Sequence, residues 1–198
     1  MQAFYQQQIG MDPDIQVIVS NSVDVTTIPG PVYIDGNGGS VTLTCSNADY
    51  TLPDTCDNRL IYVNGSVVFD KCNIYLNSYT LFASSTDYNL AVKVSNDSDV
   101  TGPGAIIAVG GIDFQPKLVS SQYIYLMSTK GKIRLAPMND FVGAVAGKEV
   151  LVQSGDPKKT PSITWADPSE FDLNLPADEV HGLLLVGLVS WIIDPKTN

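Results

Sequence analysis

Short segments in which apolar and polar residues alternate recur along the chain, and they constrain its fold more than any other feature of the sequence. In residues 88–94, apolar side chains occupy every second position, with Asn89 and Lys93 between them. This period of two predicts a strand with one buried face. Runs of good helix formers are missing, so the sequence predicts an all-β protein. The other alternating segments are residues 15–19, 41–45, 122–127, 132–135 and 149–153.

The turn signals between strand-like segments favour antiparallel pairing. Residues 59–82 hold four such segments separated by short turns. Asn64-Gly65 is the strongest hairpin signal, because a type I′ turn needs a positive φ at both central residues. We therefore expect a meander of strands here, within an antiparallel sandwich or barrel of jelly-roll type.

A short right-handed β-helix is the alternative fold. The segments of residues 59–82 recur about every seven residues, a spacing that suits the successive faces of such a helix. Beyond Gly104 the rhythm is replaced by long connections that contain proline, whereas an array keeps its period until its cap. The sandwich or barrel is therefore the leading expectation.

The two ends of the sequence differ from its middle. Of 198 residues, residues 1–14 read as a glutamine-rich extended N-terminal arm, and residues 15–198 as a single β domain with a proline-rich loop region at 153–180. The apolar residues 183–193 are too few to span a bilayer as a helix and predict a buried strand. The arm and the loop region are predicted to contact other subunits through Phe4, Tyr5, Gln6, Gln7 and Trp165.

Charge excludes several classes of partner. The chain has 21 acidic and 11 basic residues and a net charge of −10. Such a surface does not neutralise phosphates or anionic lipids, so we expect neither nucleic-acid nor membrane binding. The N-terminal residues lack the pattern of a secretory signal, which predicts synthesis in a cytoplasm.

The three cysteines leave two states open. Cys45, Cys56 and Cys72 are odd in number, and their spacing does not match paired zinc ligands. Three reduced, mostly buried thiols are the leading expectation. A bridge between Cys45 and Cys56 is the alternative.

No catalytic constellation stands out in the sequence. His181 is the only histidine, and no nucleophile is marked as its partner, so we predict no catalytic residue and no cofactor. Asp97 and Asp99 are weak calcium candidates, because the cation prefers carboxylate and carbonyl oxygens, and no metal site is expected otherwise. Aromatic side chains offer a surface for sugars or a protein partner, although a place in the core is the more common role. These aromatics are Tyr62, Tyr75, Tyr79, Tyr123, Tyr125 and Trp165.

Short strands with Asn, Gly and Ser turns, a low charge content and a polar N-terminal segment give the chain a texture that resembles virion structural proteins of bacteriophages. The resemblance implies a non-enzymatic decoration or cement protein, or a minor capsid component. It further implies a homo-oligomer, such as a trimer, that also contacts the major capsid protein or another virion protein. A receptor- or carbohydrate-binding module of a tail fibre or spike is the alternative function, and a β-helical enzyme that cleaves glycans is the third.

Overall fold

The computed structural model describes residues 1–46, 49–54, 58–116, 123–153, 162–167 and 173–175, and the backbone of residues 192–193. These residues form one α-helix, one 3₁₀ helix and 17 strands. The helices are α1 (Gln2–Met11) and a 3₁₀ helix (Val25–Thr27). The strands are β1 (Gln16–Val19), β2 (Ser22–Asp24), β3 (Val32–Thr44), β4 (Tyr50–Thr51), β5 (Leu60–Asp70), β6 (Asn73–Tyr75), β7 (Thr80–Ala83), β8 (Val92–Val94), β9 (Asp99–Thr101), β10 (Gly104–Ala108), β11 (Ile112–Phe114), β12 (Ile124–Ser128), β13 (Lys132–Leu135), β14 (Phe141–Ala146), β15 (Glu149–Val152), β16 (Ile163–Trp165) and β17 (Ile192–Ile193).

Every strand pair in the described residues is parallel. The expected antiparallel sandwich or jelly-roll barrel is therefore wrong. Within the described residues, 14 strands join one large sheet, and β4, β6 and β9 form a second sheet of three strands. Strands that follow each other in the sequence were expected to pair with each other. Instead, each strand pairs with the strand at the corresponding position one turn of the coil later, as β5 does with β7 and β8.

The pairing describes a coil with three faces. The first part of β5 pairs with β7, and its second part pairs with β8, so one long strand contributes to two faces. The third face follows with β6, which pairs with β4 and β9. The segments spaced by about seven residues thus occupy successive faces. Of the two architectures considered from the sequence, the β-helix is the one whose successive turns stack with parallel strands.

Apolar side chains stack in columns inside the coil. Parallel neighbours lie about 4.8 Å apart, so residues in register contact each other from turn to turn. The first face stacks Val32, Ile61, Leu81, Ile106 and Leu126, all of which are buried. The second face stacks Leu43, Phe69, Val94, Phe114 and Leu135, which are equally buried.

Gly65 forms a corner of the coil and not a hairpin turn. β5 runs through Asn64 and Gly65 without reversing, so the predicted hairpin and meander are wrong. Gly65 has a φ of +147°, and a Cβ atom there would collide with the backbone carbonyl of Gly39 on the preceding turn. Asn-Gly therefore serves the close stacking of two corners, which needs the same backbone freedom as a tight turn.

The expected extended arm is a helix that packs on the protein's own sheet. Tyr5 of α1 is fully buried, and its ring centroid lies 4.9 Å from that of Phe82. Phe82 in turn packs against Tyr62 at a centroid distance of 5.1 Å. Parallel sheets usually need cover on both faces, and α1 supplies it on the outside of the first face.

A disulfide joins Cys45 to Cys72 across 27 residues of sequence. Cys45 follows β3 and Cys72 follows β5, and the ends of these strands are in register at Thr44 and Asp70. The stacking of the first two long turns thus brings the two sulfur atoms together. Both expectations for the cysteines, reduced thiols and a bridge from Cys45 to Cys56, are wrong for Cys45 and Cys72, and Cys56 lies outside the described residues.

Two further expectations are corrected in part. In residues 88–94 only β8 is a strand, and Tyr88 and Leu90 lie exposed in the corner before it. Residues 153–180 were expected to be loop, yet β16 lies within this range and pairs with β14. Of the predicted strand at 183–193, only the backbone of β17 is described, and it pairs with β15.

Candidate functional site

The first turn of the coil leaves a strand edge open. β1 pairs with β3 on one side, and among the described residues no strand pairs with its other side. The backbone nitrogen atoms of Gln16 and Ser20 donate to Pro31 and Asp35 at 3.1 and 3.2 Å. Because hydrogen-bonding direction alternates along a strand, the N–H groups of Val17 and Val19 point away from β3. This is the first-turn edge, defined by residues 16–19.

Two of the four side chains of the first-turn edge are both apolar and exposed. Val17 is 60% exposed and Val19 is 69% exposed, and Met11 at the end of α1 is 74% exposed. Residues 15–23 contain no charged residue and no proline. Natural proteins usually protect open strand edges with such residues, because an unprotected edge pairs with another chain. The first-turn edge therefore has the properties of a contact surface.

A second exposed cluster lies at the corner between the first and second faces. Tyr88 is 40% exposed, and its hydroxyl donates to Oε2 of Glu149 at 3.2 Å. Nζ of Lys132 lies 3.1 Å from Oε1 of the same carboxylate. Nζ of Lys148 lies 5.8 Å from the centroid of the Tyr88 ring, close enough for a cation–π contact. We refer to these four residues as the Tyr88 corner.

The electrostatics of the Tyr88 corner follow from these contacts. The hydrogen bond from Lys132 lowers the pKa of Glu149, because it stabilises the carboxylate. Partial desolvation raises the pKa of Tyr88, and the hydrogen bond to the Glu149 carboxylate adds to this effect. The corner thus presents an exposed aromatic ring beside one carboxylate and two lysine side chains.

The predicted interface residues occupy different environments. Tyr5 is fully buried within its own chain, and its hydroxyl donates to the carbonyl oxygen of Asn174 at 3.0 Å. It is therefore part of the core and not of an exposed arm. Phe4 is half-buried, whereas Gln6 and Gln7 are exposed on α1. Trp165 is 40% exposed, and its ring centroid lies 6.4 Å from that of Phe141.

Among the residues that the structure describes, the calcium candidates Asp97 and Asp99 are not part of a metal-binding cluster. Asp97 is exposed in a turn and accepts a hydrogen bond from Ser98 at 3.4 Å, whereas Asp99 is only 3% exposed. Nowhere in the part of the chain that the structure describes do three His, Cys, Asp or Glu residues converge as metal ligands would. His181 lies outside the described residues.

Most of the candidate tyrosines belong to the core. The four tyrosines Tyr62, Tyr79, Tyr123 and Tyr125 are at most 2% exposed, and Tyr75 is half-buried. A buried ring offers no face to a sugar, so these side chains are not a binding platform. Tyr88 is the exposed aromatic that the sequence reasoning missed, because its alternating pattern assigned it to the buried face of a strand.

Comparisons of the chain with protein-family models, with curated proteins and with solved structures gave no match. Among the described residues, no helix has both the length and the apolar character needed to cross a bilayer.

Proposed function

We propose that the protein is a non-enzymatic structural subunit that assembles through its first-turn edge. The observation that supports this is the side of β1 with which no described strand pairs, where Val17 and Val19 are exposed and their backbone N–H groups point away from β3. A partner strand adds its own hydrogen bonds to such an edge and covers the apolar side chains beside it.

A second copy of the chain is the partner that fits this edge. Two copies related by a two-fold axis bring the same surface patch together, so β1 of each meets β1 of the other in antiparallel orientation. Each copy carries a net charge of −10, so two copies repel each other over most of their surfaces. Residues 15–23 carry no charge, so contact through this segment brings no like charges of its own together.

The setting that we propose is a virion. It rests on the texture that resembles phage structural proteins, and decoration or cement proteins of this kind need stiffness and repeated subunit contacts. A coil with stacked columns of buried residues is stiff. In this setting the partners are further copies of the chain and another virion protein.

The test is a pair of charge variants measured by native mass and analytical ultracentrifugation over a range of concentrations. The edge variant carries Val17→Lys and Val19→Lys. The control carries Thr86→Lys and Leu90→Lys, which are also exposed and lie away from the edge. We expect the wild type and the control to form oligomers and the edge variant to be monomeric with an unchanged circular dichroism spectrum. A monomeric wild type at all concentrations, or an edge variant that assembles like the wild type, would contradict the proposal.

Carbohydrate binding at the Tyr88 corner is the second candidate function. An exposed ring beside a carboxylate and ammonium groups combines a stacking surface with hydrogen-bonding groups, as sugar sites do. A glycan array compares the wild type with Tyr88→Ala and Tyr88→Phe, each with and without a chelator. Binding that Tyr88→Phe keeps and Tyr88→Ala loses supports a stacking site. Binding by neither the wild type nor Tyr88→Phe refutes it.

A further inference from the structure

The sequence contains two Asn-Gly pairs, Asn37-Gly38 and Asn64-Gly65, and the fold places them in different environments. Asparagine followed by glycine is the pair most prone to lose its side-chain amide, because glycine has no side chain to hinder attack by its own backbone nitrogen. We infer that Asn37 is a site of spontaneous deamidation in the folded protein and that Asn64 is protected.

The reaction needs only water. The backbone nitrogen of Gly38 bonds to Cγ of Asn37, the bond from Cγ to Nδ2 breaks, and ammonia leaves with the proton of the Gly38 amide. Water then opens the resulting five-membered imide at either carbonyl carbon. The product is an aspartyl or isoaspartyl residue at position 37, with one additional negative charge.

Asn37 and Gly38 are open to this reaction. Both are exposed, and they lie at a corner of β3 where the ladder with β5 skips from Asp35 to Ser40. Within the described part of the chain, the Asn37 side-chain amide makes no hydrogen bond, although the backbone N–H of Asn37 donates to Oδ1 of Asp35 at 2.9 Å. Apart from its chain neighbours, no residue has an atom within 4 Å of where a Cβ of Gly38 would be, so that side of Gly38 is open.

Asn64 and Gly65 are held by three hydrogen bonds instead. Nδ2 of Asn64 donates to Oδ1 of Asp35 at 2.9 Å, and Oδ1 of Asn64 accepts from the Ser84 hydroxyl at 3.2 Å. The attacking atom is also restrained, because the nitrogen of Gly65 donates to Oγ of Ser84 at 3.1 Å. If each bond slows the reaction about fivefold, as a net hydrogen-bond contribution of about 1 kcal/mol implies, Asn64 reacts about 100-fold more slowly than Asn37.

The test is peptide mass spectrometry of the folded protein after incubation at mildly alkaline pH. Cleavage after Arg59 and Lys71, followed by reduction, places the two asparagines on separate peptides. We expect the peptide with Asn37 to gain about 1 Da, localised to that residue by fragmentation, about 100-fold faster than the peptide with Asn64. In denaturant the two rates should become similar, because both asparagines precede glycine.

Ser84→Ala is the matched variant, because it removes the restraints on Oδ1 of Asn64 and on the nitrogen of Gly65 together. We expect it to accelerate conversion of Asn64 at least about tenfold and to leave Asn37 unchanged in rate. Equal rates at the two sites of the folded wild type would overturn the inference. So would an Asn37 that converts in denaturant but not in the folded protein.

Discussion

The disulfide between Cys45 and Cys72 is predicted to contribute a large part of the stability of the coil. Replacing both residues by serine opens a loop of 27 residues in the unfolded chain. In the chain-entropy treatment, a crosslink that closes such a loop stabilises the folded state by about 3.5 kcal/mol at room temperature. Net stabilities of domains are about 5–15 kcal/mol, so this loss is large.

The assay is urea unfolding of the double variant Cys45→Ser with Cys72→Ser, followed by circular dichroism. Cys56→Ser is the control, because it leaves the bridge intact. We expect the free energy of unfolding to fall by about 3.5 kcal/mol in the double variant and to stay near the wild-type value in the control. A double variant as stable as the wild type would refute the reasoning. So would a non-reducing peptide map that links Cys56 to either of the other cysteines.

Five further substitutions test the fold. Gly65→Ala should lower the free energy of unfolding in urea by about 3 kcal/mol, because the φ of Gly65 is +147° and a Cβ there would meet the Gly39 backbone. Gly10→Ala should raise it by about 0.5–1 kcal/mol, because Gly10 lies in the helix α1 with open space around its Cβ position. Tyr5→Ala should lower the free energy of unfolding by about 3–5 kcal/mol, because Tyr5 is fully buried. Gln7→Ala, on the exposed side of α1, should leave it nearly unchanged in the same assay. Equal effects of the two substitutions would contradict the packing of α1 on the sheet. Hydrogen bonds from Ser46 and Thr26 lower the pKa of Asp24 from 3.8 to about 2. The folded protein is therefore stabilised by the Asp24 carboxylate above pH 3.8, and this stabilisation, which Asp24→Asn removes, should disappear as the pH falls through about 2. A difference in unfolding free energy between wild type and Asp24→Asn that is independent of pH would contradict this.

The positions of many strands were predictable, but their pairing was not. Residues 132–135 are a strand with the bounds that the alternation predicted, and residues 41–45 lie almost entirely within β3. Alternation reports that one face of a strand is buried, and it carries no information on the direction of the neighbour. The prediction of a hairpin at Asn64-Gly65 was wrong for a similar reason. A glycine with a positive φ allows a corner stacked on the preceding turn as well as a reversal of chain direction, and the sequence does not distinguish the two.

One signal of parallel pairing was present in the sequence. β10 consists of Gly104, Ala105, Ile106, Ile107 and Ala108, and all five residues are buried. A short run without polar residues is typical of a parallel strand with cover on both faces. In β10 the inner face contacts the core of the coil, and the outer face belongs to the cluster that contains Tyr5 of α1.

The first-turn edge could not be predicted from the sequence as a contact surface, for a different reason. Residues 15–19 were predicted as a strand, and β1 confirms that position. Whether a strand has an open edge depends on the order of strands in the sheet, which the alternation does not contain. The helix α1 was missed because its glutamines and aromatics do not form a regular apolar stripe, and its burial depends mainly on Tyr5.

The roles of α1 and the first-turn edge can be separated because α1 covers a different surface. Tyr5 packs on Phe82, on the outer face of the sheet and not on the open side of β1. Tyr5→Ala should therefore lower the free energy of unfolding of the subunit, whereas lysines at Val17 and Val19 should abolish assembly and leave the subunit's own stability nearly unchanged. Comparing urea unfolding with sedimentation for both variants checks this. If Tyr5→Ala disrupted assembly without lowering stability, α1 and not β1 would be the contact surface.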